Sequence, residues 1–193
     1  MDKSRLEAFS DGVIAVIITI MVLEMKVPHG AELATLVPLL PVFLSYVLSF
    51  VYVGIYWNNH HHMLQLAEKV DGSVLWANLH LLFWLSLLPL CTGWIGENHI
   101  GLWPTTLYGA NLLLCALAYT LLQARLIKAQ GADHRLANAV SGDFKGKISP
   151  VLYAAGIAAA WLVRPAVGTA FFVVTALIWL VPDRRIERVI AGK

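Results

Sequence analysis

The stretch RLEAFSDGVIAVIITIMVLE, residues 5–24, opens with a charged, aromatic and hydroxyl cluster and continues as an apolar helix. At the helical step of ~100° per residue, Arg5, Phe9, Gly12, Val16, Thr19, Ile20 and Leu23 fall within one stripe about 100° wide. Ser10 and Asp11 fall on other faces. One side of the helix is thus an apolar ladder interrupted by a single hydroxyl, while the Asp11 carboxylate is directed toward a neighbouring helix. Two jobs in one helix follow from that division.

The rest of the chain explains the setting of this helix. Of 193 residues, 59 % are hydrophobic and 13 % charged, and the mean hydropathy is +0.70. Soluble domains carry about a quarter charged residues. The composition therefore reads as an integral membrane protein. No cleavable signal peptide is expected, because the first apolar run contains Asp11 and Glu24 and lacks a small-residue cleavage site. Cys91 and Cys115 lie inside apolar runs and read as packing residues. No nucleic-acid partner is expected.

Five further apolar segments follow. Residues 33–67 contain no Asp, Glu, Lys or Arg, and the 25 residues from Leu33 to Trp57 alone are enough to cross a ~30 Å hydrocarbon core. Pro38 and Pro41 stand near the start of this second helix, where a missing N–H is tolerated. Ser73–Gly96 forms a third span, with Asn78, His80 and Pro89 inside it. A fourth begins near Trp103 and Pro104. The segment 129–147 reads as a solvated loop, with space for a short surface helix. The last two spans form a tight hairpin about Arg164 and Pro165, and the small residues at 154–160 allow close approach of a neighbour. The expected spans are 5–26, 36–62, 72–95, 103–128, 147–163 and 166–183, an all-α six-span bundle in one domain. No internal repeat is legible.

Counting Lys and Arg by loop gives twelve on the side of the N-terminus and two, Lys26 and Arg164, on the other. By the positive-inside rule both termini are cytoplasmic and the span count is even, in a plasma (inner) membrane. The tail DRRIERVIAGK is basic and is expected at the surface.

The spacing Arg5, Phe9, Ser10, Asp11 is an RxxxFSD pattern at the start of a first membrane helix. It resembles the signature of the endolysosomal potassium-channel family (the transmembrane protein 175 family) and its bacterial homologues. Trp57 with His60, at the end of the second helix, is similar to the family pattern as well. The resemblance implies a bacterial potassium channel without a potassium-filter loop, built as a homotetramer around a pore lined by the first helices. It further implies Val16, Ile20 and Leu23 as the constriction and Thr19 as its hydroxyl layer, with K+ and other monovalent cations as permeant species, the bilayer as surroundings and no cofactor. Rings of apolar side chains around water gate by dewetting, and a hydroxyl ring offers oxygen ligands to a partly dehydrated ion.

Other residues carry less. Asp11 within a span costs about 2.5–3.5 kcal/mol on insertion scales, so it needs a partner or water. Arg5 is poorly placed for it on the same helix, which leaves His60, Asn78 and His80 as expected partners. The run His60, His61, His62 lacks partners at the i, i+3 or i+4 spacing of helical zinc sites, and no metal is expected. Glu24 is placed to flank the outer mouth. No GxSxG or HExxH pattern occurs, so an enzyme is not indicated. The alternative to a channel is a secondary or proton-coupled transporter working through Asp11 and the histidines.

Overall fold

The computed structural model describes residues 2–131, 136–137 and 143–180. The basic tail, the far end of the expected sixth span and about half of the 129–147 connection lie outside the described residues. Seven α-helices are described: α1 (Lys3–Leu23), α2 (Leu40–Leu66), α3 (Gly72–Ser86), α4 (Leu88–Glu97), α5 (Leu102–Gln130), α6 (Phe144–Leu162) and α7 (Pro165–Leu180). Because α3 and α4 continue one another, they make six rods. By length and composition, Lys3–Leu23, Leu33–Leu66, Gly72–Glu97 and Leu102–Gln130 are sufficient to cross a membrane, and Pro165–Leu180 is a shorter apolar helix. The chain is a multi-pass, all-helical membrane bundle.

The starts of the helices have local causes. Asp2 Oδ1 accepts from Ser4 N at 3.3 Å, Asp71 Oδ1 from Val74 N at 2.9 Å and Asp143 Oδ1 from Gly146 N at 2.9 Å. Each aspartate thereby satisfies an amide that the first turn leaves without a partner. These are the N-termini of α1, α3 and α6, which all begin at the same end of the bundle. Asp71 also accepts from Ser73 Oγ at 2.7 Å, and the two hydrogen bonds hold its carboxyl below the usual carboxylate range.

Proline shapes two of the rods. Instead of beginning as an α-helix near residue 36, the second span begins with a 3-10 segment, Leu33–Leu39, and turns α-helical only at Leu40. Pro38 lies inside the 3-10 turn and Pro41 occupies the first α turn, where its missing donor costs nothing. The third span, expected as one helix, breaks at Leu87. Pro89 lacks the N–H that would bond back to Leu85, and its ring crowds that carbonyl.

The rods pack through a buried core that includes Val53, Met63, Leu85, Leu112, Leu122 and Phe172. Helix α1 packs on α2, α3 and α4, and α7 packs on α6, α5 and α2. The α6–α7 hairpin closes through Gly168, whose hypothetical Cβ would stand 2.5 Å from Gly156 O and 2.7 Å from Ala160 Cβ. Interior hydroxyls are paired across helices. Thr92 Oγ1 donates to Ser49 Oγ at 2.6 Å, Ser49 pairs with Tyr108 OH at 2.9 Å, and Tyr52 OH donates to Phe172 O at 2.6 Å. At the end where α2 leaves the bundle, Gln130 clasps the α2–α3 loop. Its Oε1 accepts from Glu68 N and Lys69 N at 2.9 and 3.0 Å, and its Nε2 donates to Lys69 O at 2.8 Å.

Candidate ion pathway along the first helix

Helix α1 has two faces with different fates. Leu6, Ser10, Ile14, Ile17 and Met21 are buried against the bundle, a recurrence of four and three residues that keeps one seam toward the core. The other face stays open. Phe9 is 51 % exposed, Val16 54 %, Ile20 40 % and Leu23 80 %, and Gly12 and Thr19 are exposed with them. Phe9, Gly12, Val16 and Ile20 line a groove whose far wall is Pro89 and Leu90 of α4. The break between α3 and α4 therefore borders the open face.

Thr19 makes one hydrogen bond, from its Oγ1 to Val16 O at 2.9 Å. Its hydroxyl proton is spent inside the helix. The oxygen lone pairs remain on the exposed side, where they can face a cation.

At the buried side, the motif is held by a polar chain across three helices. Ser10 Oγ donates to Leu6 O at 2.8 Å and accepts from Asn78 Nδ2 of α3 at 2.9 Å. Asn78 Oδ1 in turn lies 2.7 Å from His60 Nε2 of α2. With the Asn78 amide donating to Ser10, its oxygen is the acceptor, so His60 carries its proton on Nε2. All three residues are buried, and α1 is fixed to both neighbours through them.

Asp11 does not join this chain. His60, Asn78 and His80 were the expected partners, but Asp11 Oδ1 accepts from Trp57 Nε1 at 3.0 Å, and Trp57 stacks on His61 with ring centroids 6.0 Å apart. The reason is angular. Ser10 points into the interior and meets Asn78, whereas Asp11, ~100° further round, emerges exposed at the seam with α2, within reach of the long indole. His80 accepts from Trp84 Nε1 on its own helix at 2.9 Å. Arg5 is exposed and makes no hydrogen bond or ion pair with the described residues. Lys3 instead ties this end of α1 to α2, donating to Ala67 O at 3.1 Å.

At the opposite end, Glu24 caps α1 and lies close to Gly93 of α4. Lys26 Nζ is 2.9 Å from Glu97 Oε1. That hydrogen bond and the carboxylate charge raise the lysine above its ordinary 10.5. Among the described residues, no three His, Cys, Asp or Glu side chains converge to hold a metal ion. Sequence reasoning named Trp57 but did not pair it with Asp11, and it passed over the aspartate caps, although Asp-x-Ser at 2–4 and 71–73 was legible.

Residues 5–89 match the family model of the endosomal/lysosomal potassium channel TMEM175, a segment that holds Ser10, Asp11, Trp57, His60 and Asn78. A protein named potassium channel in Chryseobacterium sp. (strain P1-3) is 54 % identical over 188 residues, covering 97 % of each chain. Another protein of that name, in Chamaesiphon minutus, is 30 % identical over 185 residues, which is 88 % of this chain and 90 % of that one. The crystal structure of a lysosomal potassium-selective channel TMEM175 homolog from Chamaesiphon minutus is similar with a TM-score of 0.79 at 26 % identity, over 93 % of this chain and 96 % of that one. With the motif, the relatives and the fold in agreement over nearly the whole length, this chain belongs to the TMEM175 family.

Proposed function

We propose that this protein is a potassium-permeable cation channel whose pore is built by the first helices of four identical copies. The observation that carries the reading is the open face of α1. Val16, Thr19, Ile20 and Leu23 are exposed on a helix whose opposite face is packed. A single copy has no partner for that apolar ladder, and four copies around an axis give it one.

In this arrangement Val16, Ile20 and Leu23 form successive apolar rings. Such rings raise the cost of a continuous water column and act as a gate. Thr19 supplies the one polar ring between them, with its oxygens free because its proton is bonded to Val16 O. Weak discrimination between K+ and Na+ arises there, by partial replacement of the hydration shell and without a carbonyl filter. The Ser10–Asn78–His60 chain holds α1 in rotation, so that the ladder and not the seam faces the axis. Asp11 with Trp57 and Lys3 with Ala67 fix the cytoplasmic end, while Arg5 and Phe9 stand on the open side beside them. The termini are cytoplasmic and the membrane is the bacterial inner membrane, by the twelve-to-two distribution of Lys and Arg.

The test is ion flux from liposomes holding the purified protein under matched K+ and Na+ gradients, for wild type and Ile20→Asn. Rapid, potassium-favouring flux that the asparagine alters is the expected result. Saturable, proton-linked exchange, or no flux from a folded assembly, overturns the reading.

A further inference from the structure

The bundle carries a second concavity, lined by no residue of α1. Between α2 and α7 lies a groove of about 650 Å3, within the ~300–1,000 Å3 typical of small-molecule sites. Its lining runs from Leu40 to Val51 on α2 and from Thr169 to Leu180 on α7. At 1.5 Å per residue each stretch covers ~17 Å, close to half of a ~30 Å hydrocarbon core. The two helices are the second and sixth rods, so they run in the same direction and the groove starts from one membrane face.

The chemistry of the lining is nearly uniform. No charged side chain contributes to it, and its three hydroxyls are already engaged. Ser45 donates to Pro41 O at 2.9 Å, Thr169 to Pro165 O at 3.2 Å, and Tyr108 pairs with Ser49. An ordered water needs two to four polar partners, and the groove offers it only the leftover lone pairs of these few hydroxyls. The groove also opens sideways. Leu44, Val47 and Leu177 line it while remaining exposed, so it is continuous with the apolar surface that a multi-pass protein presents to lipid.

We propose that this groove holds one acyl chain of a membrane phospholipid, seated lengthwise between α2 and α7 within a single leaflet. Burial from water supplies no drive within a bilayer. The gain is contact: a void forfeits the dispersion attraction of its walls, and a flexible chain of matching length restores it. The proposal rests on the membrane location alone and is independent of ion conduction.

The test uses the full-length protein in liposomes doped with a phosphatidylglycerol that carries a diazirine midway along one acyl chain. After illumination, labelled peptides are mapped by mass spectrometry. Wild type is expected to concentrate label on residues 40–51 and 169–180. Val173→Trp, which fills the groove, is expected to lose most of that label. Val174→Trp, on the adjacent exposed position outside the lining, keeps it. Val47→Trp serves from the other wall if Val173→Trp does not assemble. Label spread evenly over exposed positions such as Val151 and Leu162, or undiminished in both groove-filling variants, overturns the proposal. So does a disulfide between copies at Leu177→Cys, which would make the occupant a second chain.

Discussion

Asn78 of α3 donates to the hydroxyl of Ser10 on α1 at 2.9 Å while its oxygen lies 2.7 Å from His60 Nε2 of α2. One amide therefore ties α1 to both helices behind it. Asn78→Ala removes the tie and leaves a buried imidazole N–H and a buried hydroxyl each short of a partner. A cost of about 1–2 kcal/mol is expected, between the values for buried unsatisfied groups and for interhelical hydrogen bonds in membranes. A lower thermal unfolding midpoint in micelles checks it, and an unchanged midpoint would mean that water or a rotated neighbour replaces the amide.

Ile20→Asn should separate folding from conduction. The Ile20 side chain lies on the open face of the protomer, so the stability of the single chain should stay within about 0.5 kcal/mol of wild type, as for ordinary surface substitutions. Flux down a fixed potassium gradient should rise, because an amide ring holds water where an apolar ring expels it. Parallel unfolding and flux measurements on one preparation decide it.

Thr19→Val keeps shape and removes the oxygen. The K+/Na+ permeability ratio from reversal potentials in planar bilayers should fall toward unity, while Thr19→Ser should preserve it. An unchanged ratio in the valine variant would remove Thr19 from selectivity.

The α6–α7 hairpin tolerates no side chain at Gly168. A methyl group there meets Gly156 O and Ala160 Cβ, and overpacking of this kind costs about 1–3 kcal/mol. Gly168→Ala should therefore lower the unfolding midpoint, whereas Gly54→Ala, with nothing within 4 Å of its added Cβ, should not. Equal midpoints for the two would show that the hairpin relaxes.

Asp71 contributes a pH dependence of known sign. Its carboxyl is held below its ordinary 3.8 by Ser73 and Val74. The stabilisation it gives to the start of α3 is therefore complete above that value and is lost as pH falls through the lower folded-state value. Asp71→Asn keeps an N-cap without the titration. The difference in midpoint between the two proteins should be constant from pH 5 to pH 8 (~1 unit or more above 3.8) and shrink in acid. Thermal scans from ~pH 8 down to below 3.8 test it.

Much of this was legible because a helix repeats every ~3.6 residues. That period alone sorts Leu6, Ser10, Ile14, Ile17 and Met21 from Phe9, Val16, Ile20 and Leu23. It places Ser10 and Asp11 on different faces but does not say which neighbour lies opposite each. Asn78 lies 68 residues from Ser10 and Trp57 lies 46 from Asp11, so the partners are set by how the rods pack. The break at Leu87 was within reach, since Pro89 stood in plain view inside the third span. The 3-10 start of α2 had no such signal, because Pro38 and Pro41 each remove a backbone donor without saying whether the turn around them is 3-10 or α. The groove between α2 and α7 had no signal in the sequence, because every residue lining it reads as an ordinary membrane-helix residue.

The two-faced construction of α1 has a consequence for how such proteins change over time. The inner face answers to the fold of one chain, and its residues are constrained by many neighbours at once. The outer face stays largely open within that chain, so in the proposed tetramer a substitution there is screened mainly by assembly and by the passage of ions. Conductance is therefore free to drift, or to be engineered, one ring at a time without first redesigning the scaffold. In the proposed tetramer each such change is repeated in every copy around the axis, so a single codon alters the whole ring.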